Sequence, residues 1–110
     1  MNVRFAVAGA AHRLDDDVEL VLYRVLQELL TNALRHFGAH QVQVSVTFGG
    51  DRVALAIADD GRGAAVARRD RGFGLVSLAE RARTLGGTLT GENGDPCGFT
   101  LRVELPCTRA

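Results

Sequence analysis

No surplus of charge marks this chain: 13 basic and 13 acidic side chains leave a formal net charge of +0. Duplex nucleic acid is a polyanion and is usually met by a basic excess, so no nucleic-acid partner is expected. Nor does any apolar run approach the roughly 20 residues that a membrane-spanning helix needs. The opening MNVRFAVAGA is short and leads straight into an acidic segment, which does not fit a signal peptide. These absences point to a cytoplasmic domain, whose parent protein could still be membrane-anchored. Cysteine is scarce. Cys97 and Cys107 match neither a metal knuckle nor a CxxC redox pair and read as ordinary thiols. Repeats, low-complexity tracts and an internal linker are all missing. What remains is an ordinary globular balance, 46% hydrophobic and 24% charged. The 110 residues suffice for one domain, 1–110, with one core.

Periodicity orders that core. Val3, Phe5 and Val7 alternate with polar or small neighbours and predict a short strand. From Asp15 to Phe37 the period becomes helical. Val18, Leu22, Val25 and Leu29 form a stripe that Leu26, Leu30, Ala33 and Leu34 widen. Asp15, Asp16 and Asp17 suit the positive end of the helix dipole, and Gly38 suits its stop. Gln41 to Phe48 alternates again, then Gly49-Gly50-Asp51 turns the chain into a second alternating run through Val53, Leu55 and Ile57, a hairpin. Phe73 to Leu85 predicts a second helix, with Leu75, Leu78, Ala79, Ala82 and Leu85 inward and Gly86-Gly87 after it. Residues 88–90 and 100–105 supply the last two strands. The order is β-α-β-β-α-β-β. Alternating strands have one buried and one exposed face. Helices on the buried face then give a two-layer α/β sandwich, and a doubly wound sheet fits poorly.

Three segments could carry chemistry. Glu28, Asn32, Arg35 and His36 fall at i, i+4, i+7 and i+8 of the long helix, on one face beside the apolar stripe. A carboxylate, a carboxamide, a cation and an imidazole there could hold a metal-bound polyphosphate. Mg²⁺ takes a few protein oxygens and keeps water and phosphate for its other positions. Taken alone, the same residues would serve as a solvated helix face. Asp59-Asp60-Gly61-Arg62-Gly63 places a carboxylate at a strand end, with glycines that permit a sharp turn and close ligand approach. Alone it is equally an Asp-Gly turn. Gly72-Phe73-Gly74-Leu75 opens the second helix, where free N–H groups and the dipole favour an anion. Neither glycine cluster is a G-x-G-x-x-G after a strand, and no Walker-type lysine loop exists, so both common nucleotide motifs are absent.

Together, in this order, these segments resemble the catalytic ATP-binding domain of sensor histidine kinases, in the superfamily that also holds gyrase-type ATPases. QELLTNALRHFGA is similar to that family's N box, DDGRG to its G1 box and GFGL to its G2 box. The phrasing GFGLVSLAERARTLGG is most similar to kinases paired with LuxR-type response regulators. The likeness runs from Val3 to Pro106. It implies a Bergerat-type fold: a mixed, mostly antiparallel sheet with helices on one face.

The resemblance also implies roles. Asn32 corresponds to the Mg²⁺-coordinating asparagine, and Glu28 to the acid one turn earlier that supports the metal. Arg35 and His36 correspond to a basic pair near the phosphates. Asp59 corresponds to the carboxylate that reads the adenine amino group, with Gly61 and Gly63 around the base. Gly72 and Gly74, with Leu75, correspond to the phosphate side, residues 62–73 to a short lid, and Thr100 to the nucleotide pocket. ATP and Mg²⁺ are thus the implied cofactors. One stretch departs. Where the family has Gly-x-Gly-Thr, this chain has Pro96-Cys97-Gly98-Phe99-Thr100, with Phe99 in place of a threonine that holds a water in the adenine pocket. None of His12, His36 and His40 sits in an acceptor context. The implied partner is therefore a dimerisation helix pair carrying the acceptor histidine, with a response regulator served indirectly. The isolated domain is expected to be monomeric and unable to phosphorylate itself. Two other readings stay open: a serine kinase of the same superfamily acting on an anti-anti-sigma-type partner, and a module that has lost nucleotide.

Overall fold

A computed structural model describes residues 2–11, 13–35, 41–60, 72–93 and 98–107. For residues 29, 32–35, 72–75 and 93 it describes the backbone course alone. The elements run β1 (Asn2–Ala8), α1 (Asp16–Arg35), β2 (Gln41–Phe48), β3 (Arg52–Asp59), α2 (Gly72–Thr84), β4 (Thr88–Asn93) and β5 (Phe99–Pro106). The five strands form one sheet in the order β1-β2-β3-β5-β4. Only β1 and β2 are parallel; the other neighbours are antiparallel.

The two-layer sandwich follows from the alternation. On β3, Val53, Leu55 and Ile57 are buried; on β5, Phe99, Leu101, Val103 and Leu105; on β2, Val42 and Val44. All lie on one face, and α1 meets it with Val18, Val21 and Val25. Leu22, Leu26 and Leu30 are half-buried against the same core. Val21, outside the predicted stripe, is fully buried, because 18, 21 and 25 recur at three- and four-residue steps. Leu78 and Ala82 bring α2 to the core, while Glu80, Arg81 and Arg83 stay exposed as predicted. Leu29, Ala33, Leu34 and Leu75 lie outside the described side chains, and Phe37 and Gly38 outside the described residues.

Glycine ends α2 by a definite mechanism. Gly86 takes φ +86°, its N–H bonds Arg83 O at 2.9 Å, and Gly87 N–H bonds Ala82 O at 2.8 Å. That is the Schellman pattern, which satisfies two otherwise open carbonyls. At the start of α1, Asp15 O accepts the N–H of Glu19, and three acids occupy the first turn.

The strand at the β1 edge departs from expectation. Its alternation promised one buried face, yet every residue of β1 is exposed, Phe5 at 61% and Val7 at 62%. Register places Val3, Phe5 and Val7 beside Val42, Val44 and Val46, on the helix-bearing side. Two helices cover the middle of the sheet and α2 packs on β4 and β5, so β1 is left outside the cover. Among the described residues, no helix is long and apolar enough to cross a membrane.

A stability contrast follows. Leu105 is fully buried, so Leu105→Ala should cost about 2–5 kcal/mol and lower Tm by roughly 10 °C or more. Phe5→Ala, at the open edge, should change stability by no more than about 0.5 kcal/mol. Paired thermal melts check both.

Candidate functional site

Topology brings the three segments to one end of the sheet. A shallow hollow at the opposite end is lined by Asp15, Asp17 and Val18 at the start of α1, Leu85 after α2, Asp51 in the hairpin turn, and Pro106. The start of α1 and the finish of α2 therefore share that end. A 20-residue helix is about 30 Å long and a 13-residue helix about 20 Å. The C-terminal half of α1, with Glu28, Asn32 and Arg35, and the first turn of α2, with Gly72, Gly74 and Leu75, must then lie toward the other end. That end holds the finish of β3 and the start of β5, where Asp59 pairs with Phe99.

Asp59 is the only buried charged residue among the described residues, at 8% exposure. It follows Val53, Leu55 and Ile57 on the same face of β3, so its side chain enters the layer between sheet and helices. Its Oδ2 oxygen is buried and accepts no hydrogen bond within the described protein. The residue as a whole is engaged in other interactions. Asp60 does a different job. It is exposed, its Oδ1 accepts the N–H of Gln41 at 2.9 Å, and its own N–H donates to Gln41 O at 3.3 Å. Of two adjacent aspartates, one thus ties β3 to β2 and the other faces inward.

Gly98 fixes the approach of β5. It takes φ +97°, and a Cβ built there would lie 2.6 Å from the carbonyl oxygen of Asp59. Only glycine tolerates both the dihedral and the contact. Phe99 comes next and is 5% exposed, beside Asp59 in the register and on the same face.

The other sequence-derived residues fall as follows. Glu28 is half-buried on α1, one turn before Asn32, whose backbone is helical. Arg35 closes α1. Gly72 and Gly74 lie in the first turn of α2, whose opening N–H groups have no intrahelical acceptor. His36, Gly61, Gly63 and most of the proposed lid lie outside the described residues. Thr100 is not brought to the Asp59 face. It alternates with Phe99 and lines the uncovered side of the sheet with Ala58, Arg4 and Arg102. No cluster of three or more metal-ligating His, Cys, Asp or Glu side chains occurs among the described residues, and Cys107 is a buried thiol.

The family described as histidine kinase-, DNA gyrase B-, and HSP90-like ATPase matches residues 17–109. This chain belongs to that family. Among relatives of this ATPase domain, sensor histidine kinase LnrJ of Bacillus subtilis is 36% identical over 105 residues, 96% of this chain and 26% of LnrJ. Signal transduction histidine-protein kinase/phosphatase DegS of the same organism is 33% identical over 112 residues, 96% of this chain and 29% of DegS. The chain thus spans under a third of the length of these relatives. The histidine-kinase type of ATP-binding domain read from the sequence is the type these matches have. The fold agrees: full-length ShkA in complex with AMPPNP superposes with a TM-score of 0.77 at 22% identity, covering 99% of this chain and 26% of that one. The histidine kinase AdeS of Acinetobacter baumannii gives 0.73 at 20% identity, covering 98% and 55%.

Gly98→Ala tests the local geometry. The strained φ alone should cost about 1–3 kcal/mol, and relief of the clash must displace the end of β3. A Tm drop of about 5–15 °C, with amide shifts at Asp59 and Asp60, is the expected result.

Proposed function

We propose that this chain is the phosphoryl-donor domain of a two-component sensor histidine kinase, a Mg·ATP-binding unit that serves an acceptor histidine carried on separate dimerisation helices. The carrying observation is placement: the buried carboxylate, the C-terminal half of α1 and the first turn of α2 lie toward one end of the sheet. The donor set suits the ligand. A buried acceptor at Asp59 complements an exocyclic amine. Oxygens of Asn32 and Glu28, one helical turn apart, complement Mg²⁺ and its water shell. The opening N–H groups of α2 beside Gly72 and Gly74 complement phosphate.

Bound Mg·ATP supplies an electrophilic terminal phosphoryl group whose charge the metal partly neutralises. The chain's own part is positional. Asp59, with Gly61 and Gly63, orients the base. Asn32 and Glu28 fix the metal's position, and Arg35 and His36 offset phosphate charge. The lid over residues 62–73 keeps water from competing with the acceptor. Phosphoryl transfer depends mostly on positioning and electrostatics, so the domain acts only when its acceptor helices are presented to it. Likeness in the second-helix segment supports a parent kinase that serves a LuxR-type regulator, with this domain on the cytoplasmic side.

Thermal unfolding with and without ligand tests the reading. Mg·ATP at about 100 times its Kd should stabilise by about 2.7 kcal/mol, a Tm rise of roughly 10 °C or more. Chelation should reduce the rise. Asn32→Ala should abolish the Mg²⁺ dependence, and Asp59→Asn should reduce affinity by at least about tenfold. No shift at millimolar Mg·ATP would favour a module that has lost nucleotide. Incubation with acceptor proteins separates the kinase classes: acid-labile phosphohistidine supports this proposal, whereas acid-stable phosphoserine overturns it.

A further inference from the structure

This inference rests on the reading of Asp59 as the group that receives the base's exocyclic amine, and it concerns the residue next to it. Across the sheet, one row runs Val3, Val42, Asp59, Phe99. The two neighbours that flank the carboxylate, Val42 and Phe99, are 1% and 5% exposed. Directly opposed residues in a sheet put their Cβ atoms about 5 Å apart on the same face. Asp59 is therefore bordered by hydrocarbon on both sides. The Phe99 ring continues away from it, over β5 to β4. A Cβ built on Gly91 would lie 2.5 Å from Phe99 Cζ and 3.4 Å from Leu101 Cδ1. Gly91 is what leaves room for the ring to lie there. The next inward residue of β5 is Leu101, and the hydroxyl between them, on Thr100, belongs to the opposite face. On the β5 side of Asp59 the sheet thus offers an apolar floor.

We propose that Phe99 is a specificity-determining residue: its ring keeps the β5 side of Asp59 dry, so that the base is read by direct contact of carboxylate with amine. The chemistry follows from donors and acceptors. An ionised carboxylate only accepts. At position 6 a 6-aminopurine offers it a donor; a 6-oxopurine offers another acceptor there and carries its own donor one atom away, on N1. With the base in the same pose, the carboxylate and the 6-oxo group face each other as two acceptors and share the site only through a water that donates to both. A buried water typically makes about three hydrogen bonds; this one would have the carboxylate and the 6-oxo group, and a hydrocarbon floor gives it no third. A dry floor therefore converts the presence of Asp59 into rejection of 6-oxopurines. Sites built around one buried hydrogen bond discriminate strongly against analogues that cannot make it.

The test compares ATP with inosine triphosphate, which carries a 6-oxo group and an N1–H in place of the 6-amine and an unprotonated N1. Dissociation constants are measured calorimetrically in Mg²⁺ for the wild type, Phe99→Val and Phe99→Thr. Valine and threonine have the same shape and leave the same void, but only threonine can anchor a water. The wild type should favour ATP by about 100-fold or more. Phe99→Val should keep most of that ratio, and Phe99→Thr should lower it by about tenfold relative to Phe99→Val. Equal ratios in the two variants overturn the proposal. So does a wild type that binds both nucleotides within a few-fold, a result that needs no folded variant. A wild type that binds neither nucleotide removes the nucleotide reading itself, and this inference with it. That outcome is distinct from selective ATP binding with an unchanged Phe99→Thr ratio.

Discussion

The inner face of the β3–β5 ladder is the constraint to which every other element answers. Val53, Leu55 and Ile57 on one strand stand opposite Leu105, Val103 and Leu101 on the other, all nearly inaccessible. Such a face is stable only if something apolar covers it. Both helices are placed by that need. Val18, Val21 and Val25 fix the rotation of α1, and Leu78 and Ala82 fix that of α2. Polar contacts contribute little by comparison. The Arg52–Glu104 pair is short, at 2.6 Å, but both side chains are about half exposed, so its worth is at most about 1 kcal/mol.

The same ladder makes the site possible. Its apolar face ends in Asp59, a charged group where pattern alone calls for another aliphatic residue. Burying a carboxylate beside Val42 and Phe99 is unfavourable for folding, since desolvation penalises its charged form. A local rule broken at the mouth of a fold, where helix termini also gather, is what a binding site looks like from the standpoint of stability. Gly98 belongs to the same arrangement. Its positive φ lets β5 begin within contact of the Asp59 carbonyl, which holds the end of β3 in place. The Asp59 carboxylate and the fold's most buried strands are thus one mechanical unit.

Much of this was legible in the residues. Period-two alternation announced β2, β3 and β5, and period 3.6 announced both helices, because each buries one face. What remained illegible depends on neighbours far away in sequence. Val3, Phe5 and Val7 alternate as cleanly as Val42, Val44 and Val46, yet the first set is exposed. The difference lies in how far two helices reach across five strands. Likewise Asp59 and Asp60 are chemically identical in the sequence. Parity along β3 sends one inward and leaves the other to bond Gln41. Resemblance assigns Thr100 to the nucleotide pocket, but its parity on β5 puts it on the far face. Phe99, which stood out only as a missing threonine, takes the inward position instead.

Parity also explains why the departure at Phe99 leaves the architecture intact. An inward position on β5 is flanked by Leu101 on its own strand and by Asp59 on the next, with Gly91 open beside it. A ring there adds apolar contact to the core and reaches over Gly91. A threonine would occupy the same inward position with a hydroxyl in place of the ring. The two differ in what they offer a ligand: a hydroxyl extends the polar reach of Asp59, while a ring confines polarity to Asp59 itself. The architecture is therefore set by the pattern of apolar residues, whereas on the proposed reading the chemistry of recognition turns on an inward position that the pattern leaves free to vary.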